Sequence, residues 1–314
     1  MPDLSVEIAG VRWANPVTTG AGTFVPWGEY GQNIPVEKLG ALTVKSVSNV
    51  PWEGNPQPWL ADTPCGMLNS IGIRNPGVEA FIREDLPRLV QYDVPLVVSI
   101  AGHTLEDFVD VTRRLVDCPG HEKIRSLEIN MSCPNTNHKL MAFGQNPEEA
   151  GKLVKAVKEI SPWPVFAKLT PNCADVVEVA RACEDGGADA ISMGNTFLAM
   201  SVDIETGLPK TGTRTAGLSG PAIRPIALRM VWDIYEAVQV PIIAIGGVDS
   251  AEAAIEFLMV GATAVGIGQA NIKNPRVTIE VIEGLEKYCR DHGIEQIRQL
   301  TGLAHRRWAE KNGE

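Results

Sequence analysis

The chain has 314 residues, enough for one large domain or two small ones, and its 44% hydrophobic and 21% charged residues exclude large-scale disorder. A formal charge of −10 argues against nucleic acid as the main partner, because phosphate backbones are held by basic surfaces. No run approaches the ~18 apolar residues of a membrane-spanning helix, and the first ten residues lack the basic-then-apolar pattern of a signal peptide, so a cytoplasmic location is expected.

Along the chain, β-rich apolar runs fall at residues 15–22, 41–47, 95–102, 126–133, 165–171, 190–196, 241–247 and 264–270. Most are continuous rather than alternating, the pattern of parallel strands covered on both faces. Helical stripes lie between them. In 146–160, Asn146 can cap, Pro147 suits the first turn, and Ala150, Leu153, Val154 and Val157 recur at i, i+3, i+4 and i+7. Ile223, Ile226, Ala227, Met230, Val231 and Ile234 repeat that spacing, as does 249–260, capped by Asp249 or Ser250 and stopped by Gly261. Eight strands, each leading towards a helix, predict a single-domain (β/α)8 TIM barrel spanning residues 1–314. A doubly wound sheet fits less well, since the alternation runs to an eighth strand and no G-x-G-x-x-G opens an early helix. Two connections, 48–79 and 197–221, are long for βα loops and should carry function or form a small accessory sheet on the C-terminal face.

The predicted strand ends gather polar groups. They hold Gly20-Ala21-Gly22, Lys45-Ser46, Asn130 through Asn135 with Cys133 among them, Lys168, Asn195-Thr196, Gly246-Gly247 and Gly268-Gln269. Leaving such neutral groups buried and unpartnered would cost roughly 1–3 kcal/mol each, and a charge more, so a bound ligand is expected at this mouth. Glycines after the seventh and eighth strands, with Gly220, let backbone N–H groups approach a phosphate. None of the six cysteines forms a C-x-x-C pair and the five histidines show no H-x-x-x-H spacing, which argues against a zinc site or a disulfide scaffold. A cysteine in an apolar strand is by default a small core residue, and only Cys133 has a strand-end position that asks for another reading.

The segment Thr63-Pro64-Cys65-Gly66-Met67-Leu68-Asn69-Ser70-Ile71-Gly72-Ile73-Arg74-Asn75-Pro76-Gly77 resembles the substrate loop of class 1 dihydroorotate dehydrogenases, as does Asn130-Met131-Ser132-Cys133-Pro134-Asn135. Met141-Ala142-Phe143-Gly144-Gln145-Asn146-Pro147-Glu148 resembles the B type of that family, and further matches run to 241–247. The resemblance implies a flavin mononucleotide (FMN) barrel oxidising dihydroorotate to orotate in pyrimidine biosynthesis. Hydride would leave C6 for flavin N5, and Cys133 would take the C5 proton. An ordinary thiol, with a pKa of about 8.5, is only a few per cent thiolate at neutral pH and needs activation. Lys45 would stand by flavin and substrate and stabilise developing negative charge.

Asn69, Asn130, Asn135 and Asn195 match the family's pyrimidine-binding amides, whose paired donor and acceptor suit a ring of alternating N–H and C=O groups. Thr196 and the backbone of Ile71, Gly72 and Ile73 complete the implied substrate shell. Ala21, Lys45, Ser46, Ser99, Asn130, Lys168, Gly194, Gly220, Gly246, Gly247, Gly268 and Gln269 match the cofactor shell. Ala21 stands where serine is usual, Ser99 where asparagine is, Gln269 where threonine is, and Gly194 replaces a bulky apolar residue; His138-Lys139-Leu140 departs from His-Gly-Gly. The B-type resemblance also implies a homodimer of this chain working with a subunit that carries FAD and a [2Fe–2S] centre. Two alternatives remain at this level. One is a dihydropyrimidine (uracil or thymine) dehydrogenase, which 166–172 and 222–229 also resemble; the other is a flavin-binding scaffold without catalysis.

Overall fold

The computed structural model describes residues 1–28, 31, 34–133 and 143–313. Eight parallel strands form one sheet: β3 (Val17–Thr19), β4 (Leu42–Thr43), β7 (Leu96–Ile100), β8 (Ile124–Asn130), β9 (Val165–Leu169), β10 (Ala190–Met193), β13 (Ile242–Ile245) and β14 (Ala264–Ile267). Their order is β3-β14-β13-β10-β9-β8-β7-β4, and a parallel bridge from Thr18 to Ala41 brings the two edges together into a barrel. Strands such as Leu-Val-Val-Ser-Ile in β7 and Val-Phe-Ala-Lys-Leu in β9 are buried at every position, as a sheet wrapped by helices requires. The hydrophobic core fills the barrel and the layer beneath its helices.

The expected strands are all present but shorter. Residues 44–46, 131–133, 194–196, 246–247 and 268–270 lie beyond the strands, largely where glycine and polar side chains replace apolar ones, although Val47 rejoins the sheet by a parallel bridge to Ile100; Ala270 opens the short helix Ala270–Lys273. Helix Pro147–Lys158 is capped by Asn146, whose side chain accepts the Glu149 N–H, and its four expected apolar residues are fully buried. Ser250 caps helix Ala251–Met259 by accepting from Ala253 N. In helix Arg224–Tyr235, Ile226 is exposed rather than part of the buried stripe, and Ile223 belongs to the preceding 3₁₀ turn.

Two features lie outside the barrel sheet. The hairpin of β1 (Val6–Ile8) and β2 (Val11–Trp13) precedes β3, with the Trp13 ring fully buried. The long connections after β4 and β10 meet in a four-stranded antiparallel sheet made of β5 (Leu60–Thr63), β6 (Gly66–Asn69), β11 (Phe197–Ala199) and β12 (Ala216–Ser219), ordered β11-β12-β6-β5. Gly217 pairs with Asn69 across it. The accessory sheet therefore joins two loops of the C-terminal face and holds Asn69 and Thr196 near one another.

Candidate active site

Every residue of the implied substrate and cofactor shells lines one cavity at the C-terminal mouth of the barrel, apart from Ser99 and Asn135. Asn135 lies outside the described residues. Ser99 is fully buried one layer behind the wall, where its hydroxyl meets that of Ser46 at 2.9 Å.

The amide groups are held in a continuous chain. Asn130 donates to Ser46 Oγ at 2.9 Å and accepts from the Ser132 hydroxyl at 2.8 Å. Ser132 in turn accepts from Asn195 Nδ2 at 2.7 Å, and Asn195 Oδ1 accepts the Thr196 backbone N–H at 2.7 Å. Residues from after β4, β8 and β10 thus share one hydrogen-bond network, which fixes the amide rotamers before any ligand arrives. Asn130 Oδ1 also accepts the Ser132 backbone N–H at 3.3 Å, so Asn130 keeps one N–H donor for a ligand, while Asn195 keeps one donor and one acceptor lone pair for a ring of alternating N–H and C=O groups. Ser132, fully buried, is the junction that the sequence reading did not single out.

The substrate-loop segment is braced similarly. Gly72 and Ile73 both have positive φ, 75° and 53°, a strained conformation for a β-branched residue. Asn75 holds them: its Oδ1 accepts from Ser48 N, Ser48 Oγ and Gly77 N, while its Nδ2 donates to Ile73 O. The motif alone gives Asn75 no role, and its internal bonding supplies one.

Two lysines enter the mouth. Burial pulls Lys45 below the ordinary 10.5; charge on Cys133 opposes that shift, and the Lys168 ammonium adds to it. Lys168 is itself paired with Glu128, Nζ to Oε1 at 3.1 Å, with both side chains almost completely buried. Glu128 carries no motif in the sequence; its signal was a carboxylate between Leu127 and Ile129 in a strand buried at both of those positions. Cys133 is 8% exposed and on the cavity wall, close enough to Lys45 for their charges to interact. The thiols of Cys118, Cys173 and Cys289 are pushed up by burial, and that of Cys183 to about 12, which marks them as inert.

A flavin phosphate and ring fit the remaining wall. Gly220 and Gly247 have φ of 102° and 78°, and a Cβ on Gly247 would lie 2.8 Å from Gly220 O, so these loops stand back to back as bare peptide. Gln269 Nε2 and Thr196 Oγ1 are buried without a hydrogen-bond partner among the described residues. Of the charged groups on the wall, Lys168 is paired with Glu128 behind it and Asp249 with Arg224, which leaves Lys45 as the cation with no carboxylate partner among the described residues, suited to an anionic ligand.

A parallel barrel with cations, ordered amides and bare peptide at its C-terminal mouth defines an α/β-barrel enzyme for an anionic, planar ligand. Residues 3–289 match the family model described as dihydroorotate dehydrogenase. Among similar curated proteins is the dihydroorotate dehydrogenase B (NAD(+)), catalytic subunit, of Alkaliphilus oremlandii, 48% identical with 96% of this chain and 98% of that protein covered. The protein of the same name from Thermoanaerobacter pseudethanolicus is 48% identical at the same coverage. That from a Geobacillus species is 44% identical over 100% of this chain and 98% of its own. The fold is similar to the crystal structure of DHODH in complex with ferulenol from Eimeria tenella, with TM-score 0.81 and 22% identity over 98% of this chain and 89% of that one. The chain belongs to the dihydroorotate dehydrogenase family: it is an oxidoreductase of pyrimidine biosynthesis that converts dihydroorotate to orotate.

Proposed function

We propose that the chain is the catalytic subunit of a B-type dihydroorotate dehydrogenase that binds FMN and uses Cys133 as its base. The carrying observation is that Cys133 and Lys45, electrostatically coupled, share one cavity wall with the amide chain of Asn130 and Asn195 and the glycines at 220, 246 and 247. FMN, when bound, supplies the two-electron acceptor for the C6 hydride. Asn69, Asn130, Asn195 and Thr196 hold the pyrimidine ring, with Asn135 as the fourth amide. The Lys45 ammonium attracts the substrate carboxylate, and it and a thiolate at Cys133 stabilise each other. The C5 proton passes to Cys133 Sγ, and the C5 electron pair becomes the new double bond as hydride leaves C6. Gly220, Gly246, Gly247, Gly268 and Gln269 cradle the cofactor phosphate; Ala21, Ser46, Gly194 and Lys168 line its ring, and Ser99 steadies Ser46 from behind.

The relatives' names, catalytic subunit and NAD(+), support a separate electron-transfer subunit; we assign it FAD and a [2Fe–2S] centre. A homodimer of this chain is supported by Leu198, Met200, Val202 and Ile204, which run exposed along and beyond edge strand β11. The test is a visible spectrum of the purified chain before and after anaerobic dihydroorotate. A flavin spectrum that dihydroorotate bleaches, and dihydrouracil does not, is expected. No bleaching by dihydroorotate, or a clear preference for dihydrouracil, contradicts the proposal.

A further inference from the structure

Glu128 does not line the cavity, yet it lies beneath it. Its strand position is opposite Ser99 on β7 and Phe166 on β9, and its carboxylate reaches diagonally to Lys168, which is itself opposite Asn130. The two side chains are 3% and 6% exposed. Buried ion pairs are poor stabilising devices, since desolvation offsets most of their attraction and apolar replacements of similar volume often do as well. The pair is better explained by what Lys168 borders: the cavity that also holds the buried Lys45, whose charge it opposes.

Two unneutralised ammoniums in one mouth would repel each other and would both favour negative charge on whatever binds. With Glu128 in place, the Lys168 charge is offset while its side chain still lines the cavity, and Lys45 is left as the cation with no carboxylate partner among the described residues. One lysine then contributes position and the other contributes charge.

We propose that Glu128 is a positioning residue: it fixes Lys168 at the cavity wall and offsets its charge, and so limits the stabilisation of the reduced, anionic flavin. This rests on the flavin reading above. Removing the carboxylate charge leaves the Lys168 ammonium uncompensated in a low-dielectric site, where it stabilises reduced flavin and raises its midpoint potential. Replacing both partners by neutral amides restores the balance.

The test is the midpoint potential of the bound flavin in purified wild-type, Glu128→Gln and Glu128→Gln/Lys168→Gln holoproteins, measured by equilibration with reference dyes. For Glu128→Gln the ratio of reduced to oxidised flavin at a fixed ambient potential should rise about tenfold, equivalent to about 30 mV for a two-electron couple. The double variant should lie within about threefold of wild type. A Glu128→Gln protein with an unchanged or lower potential overturns the proposal. If that variant does not hold flavin, the double variant decides, and a shift of about tenfold or more in it overturns the proposal equally. Failure is separable from failure of the flavin reading, because a wild-type chain without flavin, or with flavin that dihydroorotate leaves oxidised, defeats only the latter.

Discussion

At the level of single residues, the mouth works by giving similar groups different surroundings. Lys45 and Lys168 are both buried strand-end lysines, but one has a carboxylate and the other does not. Burial favours the neutral form of Lys45, so it loses its proton at lower pH than an exposed lysine with a value of 10.5. An anionic ligand favours the charged form, and its binding is therefore linked to proton retention. Orotate affinity should fall as pH rises within the window below 10.5, by about tenfold for each 1.4 kcal/mol of lost attraction. Lys45→Met should bind more weakly with a flat profile; titrating orotate against holoprotein across alkaline pH checks both, and a flat wild-type profile would contradict the role of Lys45. That Asn69, Asn130, Asn195 and Cys133 would share one mouth was legible because their motifs are distinctive. Glu128, Ser132 and Asn75 were not, since each acts by bonding to another side chain, and such contacts depend on which strands become neighbours.

Elements place these residues through two devices. Barrel strands stop their ladders early, so that residues such as 131–133 and 194–196 turn out into the mouth. The strand runs were readable from continuous apolarity, but their ends were not, because the glycines and polar residues beyond the ladder follow the apolar run without a turn signal to separate them. The accessory sheet was foreseen only as an option. Leu60–Thr63 has no apolar run to announce a strand, and β6 meets β12 only because the barrel brings two distant loops together. The proposed phosphate cradle would depend on bare peptide in the same way. Gly247→Ala should greatly weaken flavin binding while leaving the circular dichroism of the barrel intact, since the new methyl meets Gly220 O at 2.8 Å; undiminished flavin content after purification would argue against the cradle. Helix Ala251–Met259, which leads from this loop, should lose about 1 kcal/mol with Ser250→Ala, seen as a lower midpoint in denaturant; an unchanged midpoint would deny the cap its role.

As a whole molecule, the chain brings an ordered amide network, a thiol and a glycine cradle to one end of a closed barrel, with its hairpin of β1 and β2 preceding the first barrel strand. The C-terminal helix Leu303–Asn312 buries no residue fully, and stays attached through His305, which stacks on Trp232 at 3.6 Å and contacts Val260 O at 3.1 Å. The sequence shows no dinucleotide fingerprint and no cysteine cluster for an iron–sulfur centre. Dihydroorotate should thus reduce the chain's own flavin without NAD reduction until an electron-transfer subunit is added; robust NADH formation by this chain alone would contradict that division. The central claim is that Cys133 takes the substrate proton across from the flavin, and rapid anaerobic mixing of dihydroorotate with wild-type and Cys133→Ser holoproteins tests it. Flavin bleaching in the variant should be slower by about 10²- to 10⁴-fold at neutral pH with orotate binding retained. Equal bleaching rates in the two proteins would contradict it.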